Sequence, residues 1–304
     1  MKTRVVYMGT PNYAKEILQA ILDDDTMSVP LVITQPDRPV GRKKELKAPE
    51  VKVLASAHQL EVLQPHRLSD EGIYEAIVEA KPDYIVVAAF GQLLPKKILD
   101  IAPCINLHAS LLPQYRGASP VQQSLLHGDN YTGVTAMLME EGLDSGPILA
   151  YRYFKIPTTM ELPELMERLS YDAAQLTREV LHHYPRLHPM PQVRAEATHC
   201  TKIRKADGEV DFDNAQQLYD TYRAFKGWPG IFMRNGVKLD DLELLDTDST
   251  HTPGELLAIE ESSVVLGCRV GSVRLGSIQP VSKKAMEAKA YCVGRGLKVG
   301  HSLL

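Results

Sequence analysis

Cysteine is scarce in this sequence: four residues in 304, widely separated and without a Cys-x-x-Cys pair. This usage argues against a disulfide framework and against a zinc site, so no metal is expected. Long hydrophobic runs are also missing. The longest, near residues 84–90, falls far short of the roughly 18 residues that a membrane span needs. The apolar stretch at the N-terminus is too short for a secretory signal peptide. We therefore expect a cytoplasmic protein without a membrane partner.

Two common nucleotide-binding motifs are absent as well. The turn after the first predicted strand reads Gly9-Thr10-Pro11-Asn12, without G-x-G-x-x-G spacing, and no Walker A sequence occurs. A nicotinamide-dependent dehydrogenase and a P-loop enzyme are thus disfavoured. The sequence also lacks a basic excess, since its formal net charge is −4. Two segments depart from this balance: residues 38–47 hold five basic residues and one acid, and residues 265–304 hold seven and one. Such local patches are candidate contacts for an anionic partner.

Strand and helix patterns alternate through the first half of the chain. Short apolar runs such as Arg4–Met8, Asp83–Phe90 and Cys104–His108 are separated by segments with helical spacing, for example Asn12–Asp23. This alternation predicts an α/β fold with a doubly wound, mostly parallel sheet. The charged segment over residues 35–49 is interpreted as a long loop.

The pattern changes after Tyr184, where several prolines predict a linker. Beyond it we expect one helix, Asn214–Phe225, and a series of short β-rich runs with turn signals. These runs predict a small OB-like β-barrel. The expected organisation is therefore a first domain over residues 1–185, a linker over 186–202 and a second domain over 203–304.

Chemically versatile side chains concentrate between residues 105 and 146. Asn106 and His108 are two apart at the carboxyl end of a predicted strand, so they share one face, and ligands bind at such strand ends in open α/β sheets. Asp144 lies in a glycine-flanked loop. Together the three would supply an amide donor, a proton carrier and a carboxylate. A hydrogen-bonded core histidine beside an unrelated surface turn remains the alternative from the residues alone.

Three segments carry a resemblance to a known family. They are Ile105-Asn106-Leu107-His108-Ala109-Ser110-Leu111-Leu112-Pro113, Arg116-Gly117 and Gly142-Leu143-Asp144-Ser145-Gly146. In this order and spacing they resemble the signature of the folate-dependent formyltransferases. Further segments resemble the members that formylate the methionine of initiator Met-tRNA, from residue 7 to about residue 286. They include Gly9-Thr10-Pro11, Thr34–Pro39 with Gly41-Arg42, Gly91 to Pro95, Trp228-Pro229-Gly230, and Gln279-Pro280 with Lys283 to Met286.

The resemblance implies a formyl transfer from 10-formyltetrahydrofolate, as co-substrate, to the methionine amine of initiator Met-tRNA. It assigns Asn106 as a hydrogen-bond donor to the oxyanion of a tetrahedral intermediate. His108 would polarise or protonate that oxygen, and Asp144 would hold His108 and assist proton transfer. The first domain would be catalytic, and the OB-like domain would contact tRNA. We expect a monomer.

The resemblance also implies two sets of binding residues. The folate contacts would be Phe90, Gly91, Gln92, Leu93, Ser110, Leu111, Leu112, Pro113, Met139 and Gly142. The tRNA contacts would be Arg38, Arg42, Lys43, Lys44, Lys283 and Lys284. Lys43-Lys44 stands where the family often has glycine, and Ser282 where it usually has glycine. These departures bear on the fit to tRNA.

Three other functions compete with this interpretation. A formyltransferase for an amino-sugar nucleotide would share the Asn, His and Asp, but the basic segments disfavour it. A resemblance to glycinamide ribonucleotide formyltransferase would end before about residue 200. A non-catalytic RNA-binding relative would have no need for Asn106, His108 and Asp144 together.

Overall fold

The computed structural model describes residues 2–41 and 44–304. The chain divides into two compact units. The first comprises Met1–Pro120, Tyr131–Ile156 and Leu165–Cys200, and the second comprises Val121–Asn130, Pro157–Glu164 and Thr201–Leu304. Two short segments that lie between stretches of the first unit in the sequence therefore belong to the second unit.

The chain up to Cys200 alternates short strands with helices, as the sequence pattern predicts. The described elements are β1 (Thr3–Gly9), α1 (Asn12–Leu22), β2 (Met27–Ile33), β3 (Arg38–Val40), β4 (Glu45–Lys47), α2 (Glu50–Ala57), β5 (Val62–Leu63), α3 (Ile73–Glu79), β6 (Tyr84–Ala88), α4 (Lys96–Leu99), β7 (Cys104–His108), β8 (Arg116–Gly117), α5 (Pro120–Leu126), β9 (Tyr131–Leu138), β10 (Ile148–Lys155), α6 (Leu162–His183) and β11 (His199–Cys200).

Seven of the described strands form one sheet in the order β10-β9-β7-β6-β1-β2-β5. β1, β2, β5, β6 and β7 are parallel, and β9 is antiparallel to both β7 and β10. The predicted mostly parallel α/β sheet is confirmed. The middle of β1, Val5 to Met8, is completely buried, as expected for a strand covered on both faces. α1 buries Ala14, Ile17, Leu18 and Ile21, which recur at the spacing of one helix face.

The segment over residues 35–49 is not only a loop, and that prediction was wrong. It contains the antiparallel hairpin of β3 and β4, in which Arg38 pairs with Lys47. Every residue of the two strands is exposed. Because neither strand buries a side chain, the sequence carries no burial pattern there, and the hairpin is formed by backbone pairing. Arg42 and Lys43 lie outside the described residues.

Residues 186–200, which the sequence predicts as part of a linker, lie with the first unit. Met190 exchanges two backbone hydrogen bonds of 2.8 Å with Ile148, and β11 pairs in parallel with β8. Hydrogen bonds hold this segment, with little contribution from buried apolar side chains. Such contacts leave no periodic signal in the sequence.

The described elements of the second unit after Thr201 include α7 (Ala215–Phe225), β12 (Ile231–Phe232), β13 (Lys238–Asp246), β14 (Leu256–Ile259), β15 (Val264–Gly267), β16 (Ser272–Gln279), β17 (Met286–Glu287) and α8 (Ala288–Gly294). Within the described chain these strands form a six-stranded antiparallel sheet, in the order β12-β13-β16-β15-β14 with β17 paired to β16. A small antiparallel β domain is therefore confirmed. The prediction of a single helix in this region was wrong, because α8, a short helix of about two turns, buries Ala288, Tyr291 and Cys292.

A buried carboxylate links α6 to the turn after α1. Asp24 accepts hydrogen bonds from Thr26, and its Oδ2 lies 2.8 Å from His182 Nε2 and 3.3 Å from Arg178 Nε. Burial acts to raise the pKa of Asp24, but the hydrogen bonds from Thr26 and His182 outweigh it and hold the pKa well below its ordinary value of 3.8. The ionised form therefore stabilises the folded state.

We expect Asp24→Asn to lower the free energy of unfolding by about 2 kcal/mol at pH 7, because hydrogen bonds to a charged group are lost. Since the folded pKa is depressed, this contribution is present above the unfolded pKa and is lost as the pH falls through the folded pKa. Urea unfolding followed by circular dichroism between pH 7 and pH 3.5 measures it. The difference in unfolding free energy between this variant and wild type should narrow below about pH 4. Asp25→Asn, at an exposed residue, should show no such difference. A difference that widens on acidification would contradict this account.

Candidate active site

Three side chains of the predicted set converge beside the end of β7. Asn106 and His108 project from the same face of this strand, and both are buried. Asn106 Nδ2 lies 3.5 Å from Asp144 Oδ1, and His108 Nδ1 lies 3.7 Å from Asp144 Oδ2. The structure thus brings an amide, an imidazole and a carboxylate together within one small region. The alternative of an unrelated surface turn does not describe Asp144.

The hydrogen bond of His108 determines which ring nitrogen is free. Nε2 lies 2.9 Å from the carbonyl oxygen of Tyr115. A carbonyl only accepts, so Nε2 carries a proton and donates it. Nδ1 is then the nitrogen that can exchange a proton, and it faces Asp144. An imidazole held in this way can deliver or receive a proton at one defined atom.

Asp144 adopts an unusual backbone conformation, with φ at +47°. This left-handed region is disfavoured for residues with a side chain, although Asp tolerates it better than most. The backbone N–H of Gly117 donates to Asp144 Oδ2 at 2.9 Å. Surrounding contacts therefore hold the loop in a position that local preference alone does not favour.

Two ionisable neighbours of this strand stay neutral near pH 7. Burial raises the pKa of the Cys104 thiol to about 12. Burial also raises the pKa of Tyr13, whose hydroxyl donates to the carbonyl of Leu107, well above its ordinary value. These two groups cannot exchange protons at neutral pH.

The segment after His108, which supplies four of the predicted folate contacts, is held by internal hydrogen bonds. Ser110 is fully buried, and its Oγ donates to the carbonyl of Gln114 at 2.7 Å. Thr135 Oγ1 donates to the Ser110 carbonyl at 2.6 Å and accepts from the N–H of Leu112 at 3.0 Å. Leu112 is buried, while Leu111 and Pro113 are partly exposed. The side chain of Ser110 is thus committed to the protein itself.

The other predicted folate residues follow β6 and β9. Phe90 is buried in the core, Gly91 has φ at +82° and Leu93 is exposed. Gln92 accepts from the N–H of Leu68 and donates to the carbonyl of His66. Met139 packs against the core clusters that contain Phe90 and Leu112, and Gly142 is exposed. At Gly91 nothing occupies the place where a side chain would stand, so its backbone is open to a ligand contact, whereas the Ser145 side chain lies against Gly142.

The predicted tRNA contacts lie in both units. Arg38 and Lys44 belong to the first unit and are exposed; Arg38 Nη2 donates to Gln35. Lys283 and Lys284 are exposed in the second unit, between β16 and β17. Exposed cations of this kind suit contacts with phosphate groups. Arg42 and Lys43 are not among the described residues.

The described residues include no group of three or more His, Cys, Asp or Glu that could hold a metal ion. Within the same residues, no helix is both long enough and apolar enough to pass through a bilayer.

Comparison with known proteins assigns the chain to a family. Residues 1–181 match the model of the formyl transferase family, and residues 202–296 match that of the formyl transferase C-terminal domain. The chain belongs to the formyl transferase family. A methionyl-tRNA formyltransferase of Sulfurovum sp. is 59% identical over 304 residues, covering all of both chains. One of Nitratiruptor sp. is 51% identical over 299 residues, 98% of each chain.

Two solved structures share the fold of this formyl transferase. The N-formyltransferase of Helicobacter canadensis, in complex with folinic acid and dTDP-3-aminofucose, has a TM-score of 0.69 at 17% identity, covering 90% of this chain and 98% of that one. HypX of Aquifex aeolicus, in complex with tetrahydrofolic acid, has a TM-score of 0.60 at 18% identity. It matches 98% of this chain, which spans about half of HypX (48%).

Three groups in this formyl transferase's site were missed from the sequence. The carbonyl of Tyr115 and the N–H of Gly117 hold His108 and Asp144, and Gln192 contacts the loop of Asp144. The first two are backbone groups, so residue types do not reveal them. Gln192 lies in a proline-rich segment that carries no helix or strand pattern. In the sequence, its polar side chain is the only indication that it forms hydrogen bonds.

Proposed function

We propose that this chain transfers the formyl group of 10-formyltetrahydrofolate to the methionine amine of initiator Met-tRNA. The placement of Asn106 and His108 each within 4 Å of the Asp144 carboxylate carries the proposal. Membership of the formyl transferase family supports the reaction class. End-to-end identity with relatives named methionyl-tRNA formyltransferase supports the acceptor.

The reaction forms one bond and breaks another at the formyl carbon. The methionine amine attacks this carbon, and the formyl oxygen takes up the negative charge of a tetrahedral intermediate. The amide N–H of Asn106 stabilises that charge, an effect worth about 10²–10³ in rate for one well-placed donor. The carbon–N10 bond then breaks, N10 leaves with a proton, and the former amine loses one.

His108 and Asp144 manage these protons. Nδ1 of His108, the ring nitrogen not bonded to the Tyr115 carbonyl, takes up the proton that the attacking amine loses. Once protonated, it polarises the formyl oxygen and passes the proton on to N10 as the carbon–N10 bond breaks. Asp144 lies 3.7 Å from Nδ1 and orients the ring toward the reacting carbon. The same carboxylate accepts hydrogen bonds from Asn106 and Gly117, which fixes its position relative to Asn106 and His108. A positioned acid or base contributes about 10²–10⁴ in rate.

The donor and the acceptor would meet different parts of the chain. The backbone near Gly91 and Gly142 and the segment from Ser110 to Pro113 would contact the folate. Arg38 and Lys44 would contact the acceptor end of the tRNA, together with Lys283 and Lys284; Arg42 and Lys43 belong to the same proposal. Residues 1–185 would form the catalytic domain and residues 203–304 the tRNA-contacting domain.

The proposed enzyme acts in the cytoplasm, where charged initiator tRNA is used. All three groups of the site lie on one chain, so a second copy is not needed to complete it, and we propose that the enzyme acts as a monomer.

A direct assay tests the function. Purified protein is mixed with 10-formyltetrahydrofolate and charged initiator Met-tRNA, and formylmethionine is measured after deacylation. A parallel reaction replaces the tRNA with an amino-sugar nucleotide. We expect formylation of the tRNA alone. Formylation of the sugar alone would replace the proposed acceptor, and activity with neither would contradict the proposal.

The paired lysines between β16 and β17 give a prediction about tRNA binding. Lys283→Ala with Lys284→Ala should weaken binding of Met-tRNA about 10-fold at low salt while leaving the KM for the folate unchanged. Each lost phosphate contact should reduce the slope of log K against log salt by about 1. Filter binding at several salt concentrations measures both effects.

The adjacent pair Lys96 and Lys97 on α4 provides a matched control, since both residues are lysines of a short surface segment. The double alanine variant there should bind tRNA as wild type does. An unchanged salt slope in the Lys283 and Lys284 variant would remove these residues from the tRNA contact.

A further inference from the structure

The side chain of Gln192 uses its whole hydrogen-bonding capacity at the edge of the site. Nε2 donates to the carbonyl of Asp144 at 2.9 Å and to that of Gly146 at 2.8 Å. Oε1 accepts from Arg116 Nε at 3.0 Å and Nη2 at 2.6 Å. Carbonyls only accept and a guanidinium only donates, so a single orientation of the amide satisfies all four bonds.

These four bonds connect the two segments that hold the catalytic carboxylate. The loop over residues 144–146 carries Asp144. Arg116 precedes Gly117, whose N–H donates to Asp144 Oδ2, and follows Tyr115, whose carbonyl accepts from His108. A change at Gln192 would thus act on the supports of both Asp144 and His108.

The loop packs closely against Leu138 at Gly146, but part of its surface adjoins open space. A cavity of about 270 Å³ adjoins it, lined by Arg116, Glu140, Ser145, Pro147, Pro191, Gln192 and Arg194. Empty space on this side means that the loop is not locked by dense apolar packing, which normally opposes displacement. Asp144 also has the disfavoured positive φ, so its backbone depends on external hydrogen bonds.

We propose that Gln192 is a positioning residue: its amide holds the backbone of the Asp144 loop against the Arg116–Gly117 segment and so sets the distance between Asp144 and His108. The proposal rests on the proposed function. The described contacts of Gln192 are with the protein's own loops, so it acts through Asp144. A misplacement of about 1 Å in such a group can cost about 100-fold in rate.

Two variants separate the carbonyl contacts from the arginine contact. Gln192→Glu has the same shape and still accepts from Arg116, but its carboxylate has no hydrogen for the carbonyls of Asp144 and Gly146. Gln192→Met has a similar length and loses both contacts. Val193→Ala, at a neighbouring side chain that is 55% exposed, is the matched control.

Formyl transfer to Met-tRNA is measured for each variant, with kcat expressed per site titrated by an unreactive folate analogue. We expect kcat to fall about 10–100-fold for both Gln192 variants, while the KM for each substrate changes less than about 3-fold. This split indicates lost transition-state geometry and intact substrate binding. Val193→Ala should match wild type.

Three results would overturn the proposal. Gln192→Glu with wild-type kcat would mean that the donor bonds to the loop are dispensable. A raised KM with unchanged kcat would assign Gln192 to substrate binding. Failure of both variants to fold would make Gln192 structural only. Inactive wild-type protein in the same assay would instead contradict the proposed function, so the two failures are distinguishable.

Discussion

His108→Ala is expected to lower kcat for formyl transfer to Met-tRNA by at least about 10³-fold in a folded protein. The substitution removes Nδ1, the ring nitrogen that faces Asp144, and with it the atom that we propose exchanges a proton with the reacting centre. An acid or base in this role accounts for about 10²–10⁴ of the rate. Single-turnover kinetics with saturating donor and acceptor measure the loss directly.

A second substitution at His108 separates chemistry from packing. The ring is buried, and its Nε2 donates to the carbonyl of Tyr115, so alanine leaves a small cavity and leaves that carbonyl with the weaker donor Cys200 Sγ at 3.5 Å. His108→Gln can restore a donor to that carbonyl but cannot carry a proton. We expect it to be as inactive as alanine and to bind a folate analogue like wild type. Near-normal turnover in either folded variant would contradict the assignment of His108.

Asp144→Asn is expected to lower kcat by about 10³-fold with little change in fold. Asparagine has the same shape and tolerates a positive φ, so the loop conformation can persist. The charge facing His108 is lost. An asparagine oxygen retained on the N–H of Gly117 would also turn the new NH₂ toward the donor NH₂ of Asn106. The substitution therefore disturbs both the imidazole of His108 and the side-chain amide of Asn106, the proposed oxyanion donor.

A second aspartate with positive φ supplies the control for Asp144. Asp241 in the second unit has φ at +56° and is exposed, so Asp241→Asn reproduces the backbone change without touching the site. We expect wild-type kcat and an unchanged melting temperature for it. If Asp144→Asn kept more than about a tenth of wild-type kcat, the carboxylate would have no essential part in proton transfer.

Predictions from the sequence succeeded where burial leaves a regular pattern. The strand over Cys104–His108 was predicted with the bounds that the structure has, because a short, mostly apolar run directly after Pro103 marks a buried strand. The helix α1 was predicted to within one residue for the same reason. The hairpin at Arg38–Val40 and the helix at Ala288–Gly294 were missed, since one is fully exposed and the other is too short to show helical periodicity.

For the site, residue types and spacing identified the amide, imidazole and carboxylate but not their supports. Asn106 and His108 could be placed on one face because strand geometry has a period of two. The orientation of the imidazole could not be predicted. It depends on the carbonyl of Tyr115, a backbone group that any residue would supply.

The sequence by itself determined the α/β fold, the small β domain and the candidate site residues Asn106, His108 and Asp144, because the polarity of side chains and its periodicity can be read directly from the sequence. Only the tertiary structure decided how those groups are held. Gln192 is 48 residues from Asp144 and 76 from Arg116, yet its amide joins their loops. Hydrogen bonds between such distant segments depend on where the folded backbone places each donor and acceptor, and no local pattern encodes that distance.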